Sequence, residues 1–354
     1  MKKILLHLLC IGGICSQAIA QMPDDYYDEA HGKSGSQLKN ALYNIIKDHI
    51  EFPYSASTTD TWDILKETDK DPNNSENVIL IYSGRSVNGD QEYNGGSGWT
   101  REHVWAKSRG DFGTSRGAGT DVHHLRPLDQ SVNSTRSNRA FDDCETCSEV
   151  IDGTFNTGSF TDGINWTFEP RSDVKGDVAR MIFYMATRYE GDEGEPDLEL
   201  TQSILGQSNK EPFHGTLDAL LDWHRNDPVN EWERDRNDVI FNYQENRNPY
   251  IDFPELVEHI WGNKIGDTWL NPLSNEEFEL ENFAIYPNPA SNVLYIDNVD
   301  KATSIELIDL AGRRILSQEL KLGKNIISLP KEKGMYVLNI KTKNSNISRK
   351  IIKM

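Results

Sequence analysis

Apolar residues recur at helical spacing in three stretches of the chain. The clearest stretch runs from Leu38 to Ile50, where one face of a helix collects Leu38, Leu42, Ile45, Ile46 and Ile50. Val174 to Tyr189 and Leu217 to His224 also show a helical pattern. The sequence therefore predicts at least three helices before the C-terminal part of the chain.

Alternation with a period of two replaces this pattern beyond the turn-rich segment Tyr286-Pro287-Asn288-Pro289-Ala290. Apolar side chains then alternate with polar ones at Leu294 and Ile296, at Ile305 and Leu307, and at Tyr336, Leu338 and Ile340. Leu310-Ala311-Gly312-Arg313 is typical of a hairpin turn. We expect a small all-β sandwich at residues 283–354, joined to the rest by a linker at residues 271–282.

A hairpin followed by a helix is predicted in the middle of the chain. Gly98 to Val104 and Thr120 to Leu125 are rich in β-branched and aromatic residues, which favour strands, and a glycine-rich loop separates them. Pro127 suits the first turn of a helix, and Leu128, Val132 and Thr135 follow at helical spacing.

The same segment concentrates groups that can do chemistry on a phosphate. Glu102, His103, Asn133 and Arg136 can bind a hard divalent cation, deprotonate a water and neutralise a phosphate. Neighbours on a regular strand face opposite sides, so Glu102 and His103 can share a site only where the strand ends or bulges. Asn133 and Arg136 are three residues apart and share one helix face.

The ordered motifs resemble the bacterial endonuclease I family, which are nucleases of the ββα-metal class. The matching residues are Arg101-Glu102-His103-Val104, Asp121-x-His123-x-Leu125-x-Pro127, Val132-Asn133-x-x-Arg136-Ser137-Asn138, Lys175-Gly176-Asp177-x-Ala179-Arg180, Phe183-Tyr184-Met185, Trp232-Glu233-Arg234-Asp235-Arg236 and Asn246-Arg247-Asn248-Pro249-Tyr250. The resemblance covers roughly residues 28–262 and implies an α+β nuclease domain at residues 21–270.

The resemblance also implies roles for single residues. His103 would be the general base, and Glu102 and Asn133 would be the protein ligands of one divalent ion. Mg²⁺ suits a site with few protein oxygens, with Mn²⁺ and Ca²⁺ as alternatives. The family also uses an arginine on the scissile phosphate, for which Arg116 is the candidate and Arg136 the alternative.

Structural roles compete with each of these assignments. His103 could be a satisfied structural histidine, Asn133 could cap a loop, and Arg136 could pair with Asp129 or Asp142. His123-His124 resembles a zinc pair, but neighbours on a strand face opposite sides and the sequence has no His-Glu-x-x-His helix, so we interpret His123 as structural. The family often has Asn at the position of His124, to which we give only a supporting role. Large aromatics generally pack in cores, and Trp105, beside the predicted site, is the candidate for contact with nucleic acid.

The N-terminus is typical of an exported protein. Lys2-Lys3, an apolar run from Ile4 to Cys15, and Ala18-Ile19-Ala20 predict a signal peptide at residues 1–20. No later segment has enough continuous apolar residues to span a membrane, so we expect no stable membrane insertion. The mature chain then keeps only Cys144 and Cys147, which an oxidising compartment favours as a disulfide over a redox pair.

The net charge of −19 is unusual for a protein that acts on nucleic acid. The signal peptide contributes +2 and residues 283–354 contribute +6, which leaves −27 for residues 21–282. Residues 101–139 nevertheless carry seven Arg or Lys against four acids. This local positive charge permits modest, sequence-independent binding.

The C-terminal part resembles the sorting domain that the type IX secretion machinery recognises, and a carbohydrate-binding or adhesive module is the alternative. We therefore expect a protein that crosses the periplasm and is secreted or held at the cell surface. Its function would be Mg²⁺-dependent, non-specific cleavage of DNA, with RNA as a second substrate. The rival function is a secreted adhesin or binding module with a non-catalytic nuclease-like domain.

Overall fold

The computed structural model describes residues 22–144, 146–272, 284–299, 303–341 and 346–354. The chain divides into two compact units, residues 1–274 and residues 275–354. The predicted signal peptide and residues 273–282 of the predicted linker lie outside the described residues. Within the described part, no helix has the length and apolar character needed to cross a membrane.

The first unit combines eight α-helices with small sheets among its described residues, which confirms the predicted α+β class. The helices are α1 Gly35–Ile46, α2 Thr61–Thr68, α3 Gln130–Arg136, α4 Lys175–Arg188, α5 Leu217–Asn226, α6 Glu231–Gln244, α7 Pro249–Asp252 and α8 Leu256–Ile260. The strands are β1 Lys70–Asp71, β2 Asn74–Ile79, β3 Ser86–Asn88, β4 Trp99–His103, β5 Leu125–Asp129, β6 Ala140–Phe141, β7 Ser148–Asp152, β8 Phe155–Asp162, β9 Thr167–Glu169, β10 Glu199–Leu200 and β11 Phe213–His214.

The strands pair in four small sheets. Their orders are β1-β2-β3, β4-β5, β6-β9-β8-β7 and β10-β11. Because each sheet is small, the helices supply much of the surface against which the strands pack.

The three predicted helices are confirmed as α1, α4 and α5. The apolar face of α1 is buried at Leu38, Leu42 and Ile46, but the helix ends there and Ile50 is largely exposed. Every residue of α4 from Gly176 to Arg188 is buried, so this helix runs through the main core of the unit.

The hairpin and helix are present, but their boundaries differ from the prediction. The predicted strand at 120–125 is wrong, because β5 starts at Leu125 and the residues before it form a turn. Pro127 lies in β5 opposite Arg101 and not in a helix. A two-stranded ladder has only edge strands, where proline is tolerated, and α3 begins three residues later.

Asp121 explains why the segment before β5 turns. Its buried carboxylate accepts hydrogen bonds from the Tyr184 and Tyr189 hydroxyls, at 2.8 and 2.9 Å, and from Gln244 Nε2 at 3.0 Å. The same carboxylate accepts the backbone N–H of His123 at 3.0 Å. These partners come from distant parts of the chain and hold the segment in a turn.

Cys144 and Cys147 form a disulfide, as the sequence predicts. It lies between β6 and β7, and the Cys144 backbone N–H donates to the Glu169 carboxylate at 3.0 Å. The disulfide therefore closes a short surface loop, and no residue of the predicted site belongs to it.

The second unit is all β among its described residues. Its strands are β12 Ala284–Tyr286, β13 Val293–Val299, β14 Thr303–Asp309, β15 Arg314–Leu320, β16 Gly323–Ser328, β17 Gly334–Lys341 and β18 Asn346–Lys353. The sheets β12-β13-β16 and β15-β14-β17-β18 share one apolar core, so the predicted sandwich is confirmed. The predicted alternating positions are buried, with Leu294 and Ile296 from one sheet and Ile305, Leu307, Leu338 and Ile340 from the other.

Candidate active site

The antiparallel pair β4-β5 and helix α3 build one wall of an open cavity. Glu102 lies opposite Arg126 in the pair, and His103, opposite Leu125, is the last residue of β4. Because the strand ends at His103, the backbone is free to turn there, and both Glu102 and His103 line the cavity. This is the arrangement that strand geometry requires for the two neighbours to share a site.

The cavity has a volume of about 630 Å³ and a mostly polar lining. Its lining residues are Tyr54, Tyr93, Thr100, Arg101, Glu102, His103, Ala106, Lys107, Ser108, Gln130, Asn133, Ser134, Arg136, Ser137, Asn138 and Gln207. Four of the five predicted site residues therefore meet here, and Arg116 does not line this cavity.

Glu102 is almost fully buried and is held through one oxygen. Its Oε1 accepts a hydrogen bond from the Tyr82 hydroxyl at 3.0 Å and lies 3.1 Å from Arg136 Nε. Burial raises the pKa of Glu102, and the Arg136 charge opposes that rise. Among the described residues none donates a hydrogen bond to the second oxygen, Oε2. The carboxylate is thus fixed in orientation by Oε1, while Oε2 has no hydrogen-bond partner among the described residues and is available to a ligand.

The side-chain oxygen of Asn133 is the second oxygen atom in the cavity that is available to a ligand. It lies in α3, three residues before Arg136, and its side-chain amide has no hydrogen-bond partner in the described part of the chain. Carboxylate and amide oxygens are ligands for hard cations such as Mg²⁺. The donor set of Glu102 and Asn133 therefore fits a divalent ion that also keeps several waters.

The described residues contain no metal site formed only by His, Cys, Asp and Glu side chains. Among them, no group of three or more His, Cys, Asp and Glu side chains could hold an ion. His123 instead faces Asn246, with Nε2 at 3.2 Å from both the backbone and side-chain oxygens, so its structural role agrees with the sequence interpretation.

His103 has one engaged nitrogen and one open nitrogen. Its Nε2 lies 3.0 Å from the Gly119 carbonyl oxygen, which can only accept, so the proton resides on Nε2. Nδ1 is then the unprotonated nitrogen. Burial, together with the neighbouring His124 ring, lowers the pKa of His103 well below its usual range. The Tyr54 ring stacks on the imidazole at 5.7 Å between centroids.

His124 supports the same loop. Its Nε2 donates to the Ala118 carbonyl at 2.8 Å, and its Nδ1 accepts the Trp105 backbone N–H at 3.3 Å. Ala118 and Gly119 thus present consecutive carbonyls to the two histidines. Trp105 itself is fully buried and donates its indole N–H to Arg109 O at 2.8 Å. The suggestion that Trp105 contacts nucleic acid is therefore wrong.

Arg136 is fully buried and its guanidinium is already engaged. In addition to its ion pair with Glu102, it donates hydrogen bonds to the carbonyls of Val104 and Ser137, at 2.5 and 3.0 Å. It also donates to His214 Nε2 at 3.0 Å. Of the acidic partners among the described residues, Arg136 pairs with Glu102 and not with Asp129 or Asp142, the alternatives that the sequence left open. Arg116 is exposed and donates to the Glu51 carbonyl at 2.9 Å. Neither arginine presents a free guanidinium to the cavity.

Lys107 is a residue that the sequence analysis missed. It follows β4 in a turn, is exposed, and lines the cavity. In the described residues it makes neither a hydrogen bond nor an ion pair, yet its charge acts on both Glu102 and His103. The charged lining is therefore Arg101, Lys107 and Arg136 against Glu102, a local positive charge within an acidic domain. Only its place soon after His103 could have marked Lys107 in the sequence.

Comparison with known proteins assigns both units. Residues 34–255 match the sequence profile of endonuclease I, and residues 284–354 match that of the secretion system C-terminal sorting domain. An extracellular ribonuclease of Bacillus subtilis is 50% identical over 257 residues, which cover 71% of this chain and 84% of the relative. An extracellular ribonuclease of Bacillus amyloliquefaciens is 51% identical, covering 67% and 78%. Endonuclease-1 of Buchnera aphidicola (strain Bp) is 29% identical, covering 37% and 46%.

Proposed function

Because the chain belongs to the endonuclease I family, we propose that it is a divalent-metal-dependent endonuclease that hydrolyses RNA and DNA without sequence preference. The sorting domain and the extracellular relatives indicate secretion or a cell-surface location. One observation carries the proposal. A single cavity contains a carboxylate oxygen, a side-chain amide and an imidazole nitrogen that have no hydrogen-bond partner among the described residues.

Glu102 and Asn133 would hold the divalent ion, with Mg²⁺ as the first choice. When bound, the ion supplies positive charge that stabilises the phosphate oxygens as negative charge develops. Tyr82 and Arg136 keep the Glu102 carboxylate in one orientation through Oε1. The rest of the coordination shell would be water and substrate oxygen, as Mg²⁺ prefers.

His103 would act as the general base. Its Nε2–H is committed to the Gly119 carbonyl, so Nδ1 is the atom that accepts a proton from the attacking water. The water oxygen would form a bond to phosphorus while the bond from phosphorus to the 3′ oxygen breaks, and the leaving 3′ oxygen would take a proton from solvent water. The products would carry a 5′-phosphate and a 3′-hydroxyl.

Lys107 would supply the cation for the phosphate. Its ammonium is exposed in the cavity and has no acidic partner among the described residues, so it is available to an anionic ligand. The guanidinium of Arg136 is engaged, and Arg116 lies outside the cavity lining. We therefore move the phosphate role from the two arginines to Lys107.

The mechanism uses water as the nucleophile and does not need a 2′-hydroxyl group. Both RNA and DNA therefore fit the proposal, and the two ribonuclease relatives favour RNA as one substrate. The rival hypothesis is a binding module without catalysis. It does not explain why, among the described residues, an imidazole nitrogen and a carboxylate oxygen in one cavity both lack a hydrogen-bond donor.

Metal removal tests the proposal. We expect EDTA to abolish cleavage of both plasmid and RNA, and added Mg²⁺ to restore it. Glu102→Gln and Asn133→Ala should each raise the Mg²⁺ concentration needed for half-maximal rate and weaken Mg²⁺ binding in calorimetry. Ser134→Ala, which removes another polar side chain of α3 from the same cavity, is the matched control. Full activity in EDTA would refute the proposal.

A further inference from the structure

Tyr93 stands apart from the other tyrosines of the nuclease unit. It is 54% exposed, whereas the remaining tyrosines in residues 22–144 and 146–272 are buried or half-buried. It lines the same cavity as Glu102, His103 and Lys107. An aromatic ring thus stands exposed on the wall of the proposed active site.

The ring has no partner within the described part of the protein. There, no other ring stacks on it, no cation lies over it, and its hydroxyl makes no hydrogen bond. Tyr54, by contrast, has the Arg101 guanidinium over its ring, at 3.4 Å from the centroid, and stacks on the His103 imidazole. Tyr93 therefore keeps its aromatic faces available to a ligand.

The backbone holds Tyr93 in a strained conformation. Its φ of 45° and ψ of −48° belong to a tight turn that non-glycine residues rarely adopt, closed by the hydrogen bond from Asn94 N to Glu92 O. Tyr93 N donates to Trp99 O at 2.8 Å, and Tyr93 O accepts from Gly96 N at 2.7 Å and Gly98 N at 3.1 Å. Such strained residues cluster at ligand clamps and active sites.

We propose that Tyr93 is a stacking platform for a nucleobase of a single strand whose phosphate lies at the catalytic groups. The inference rests on the proposed function, because it takes the cavity as the nucleic-acid site. Every nucleobase has a π-face, so stacking attracts any base and suits binding without sequence preference. In a duplex the faces are already stacked, so the platform favours single-stranded RNA and single-stranded DNA.

The neighbouring lining agrees with this chemistry. Gln130 and Gln207 line the cavity, and their side-chain amides have no hydrogen-bond partner in the described residues. Uncharged amides can donate to and accept from the edges of any base. Lys107 would hold the backbone of the strand while Tyr93 takes a base.

Binding to base-containing and abasic strands tests the proposal. We would measure fluorescence anisotropy with Mg²⁺ in the full-length His103→Ala background, using a short DNA strand, the same strand with abasic residues, an RNA strand and a DNA duplex. Tyr93→Gly removes the ring and relieves the backbone strain, since glycine adopts positive φ readily. Tyr93→Phe keeps the ring, and Phe155→Ala removes an exposed ring that lies outside the cavity lining.

The expected result is a loss of affinity of roughly 5- to 100-fold for both single strands in Tyr93→Gly. Tyr93→Phe and Phe155→Ala should bind like the parent, and the abasic strand should not distinguish Tyr93→Gly from Tyr93→Phe. An equal loss for abasic and normal strands, or no loss for either, would overturn stacking. Failure of the proposed function would appear separately, as absence of cleavage by the protein with His103 intact.

Discussion

A single backbone carbonyl determines which nitrogen of His103 is open for chemistry. Because Gly119 O accepts the Nε2 proton, the basic atom must be Nδ1, and the ring cannot choose the other tautomer without losing this bond. The two oxygens of Glu102 differ in the same way. Oε1 contacts Tyr82 and Arg136, whereas Oε2 has no hydrogen-bond donor among the described residues. At both residues, structural hydrogen bonds orient an atom that is left for ligand or proton.

The phosphate assignment gives a prediction for Lys107. Lys107→Ala should lower kcat/KM by about 10- to 100-fold, since a charge-assisted hydrogen bond contributes ~1.5–3 kcal/mol. The slope of log affinity against log salt should also fall by about one unit. Lys107→Arg should retain most of the activity. Steady-state cleavage of RNA and plasmid at several salt concentrations measures each effect.

Arg116→Ala and thermal unfolding are the controls for this assignment. The Lys107 side chain makes no hydrogen bond or ion pair with the described residues, so its loss should leave the melting temperature unchanged. Arg136→Ala should lower the melting temperature, because it leaves the buried Glu102 carboxylate without its cation. A larger loss of activity in Arg116→Ala than in Lys107→Ala would return the phosphate role to the arginine.

At the scale of elements, local patterns predicted the helices and the C-terminal strands well. Leu38, Leu42 and Ile46 lie on one buried face of α1, and the alternating apolar residues of the second unit are buried in its core. In both cases the pattern of burial repeats with the element, so a short window of sequence contains the information.

The start of β5 could not be predicted in the same way. Thr120 to Leu125 has strand-like composition, but the Asp121 carboxylate accepts hydrogen bonds from three side chains elsewhere in the fold. Tyr184 lies in α4, Tyr189 directly follows α4, and Gln244 is the last residue of α6. These partners are distant in sequence, so no local pattern reveals them. Glu102, His103 and Asn133 were found through ordered motifs, whereas the engagement of Arg136 and the freedom of Lys107 depend on tertiary contacts.

Helix α5 carries a histidine whose titration should affect stability. Burial, reinforced by the Arg180 charge of α4, lowers the pKa of His224 to about 4. The hydrogen bond to the Pro254 carbonyl and the Glu258 charge of α8 oppose this shift, and the Arg225 charge of α5 adds slightly to it. The unfolded chain therefore binds the proton more readily than the folded one below pH 6.5. The contribution of His224 to stability is complete above that pH and is lost as the pH falls towards 4.

His224→Gln tests this linkage. The amide can still donate to Pro254 O, which accepts the His224 Nε2–H at 3.0 Å, but glutamine does not titrate. Between pH 7 and pH 5 the parent should lose about 1–2 kcal/mol more unfolding free energy than the variant in urea denaturation. Parallel loss in the two proteins would contradict the prediction.

The proposed catalytic residues and the sorting domain lie in different units of the chain. All proposed catalytic residues lie in residues 1–274, and residues 275–354 have their own apolar core and match a sorting domain. Residues 283–354 carry a net positive charge, whereas the nuclease unit is acidic. Within the acidic unit, the side chains that line the cavity carry a net positive charge. Separate cores imply that each unit can fold without the other.

Truncation tests this separation. A chain that ends at Asn282 should keep in-gel nuclease activity and remain inside the producing cell, while the full chain reaches the medium or cell surface. Culture fractions and zymograms of both forms provide the comparison. Normal export of the shortened chain would show that the tail is not the sorting signal, and loss of its activity would assign the tail to the catalytic unit.

In the proposed mechanism, His103 removes the proton from the attacking water at the Glu102 and Asn133 site. Single-turnover cleavage of RNA with saturating Mg²⁺ by the parent and by His103→Ala tests this role. We expect the variant to fold and bind RNA like the parent but to cleave about 10²- to 10⁴-fold more slowly, the usual contribution of a positioned base. Cleavage by His103→Ala at the parental rate would contradict the mechanism.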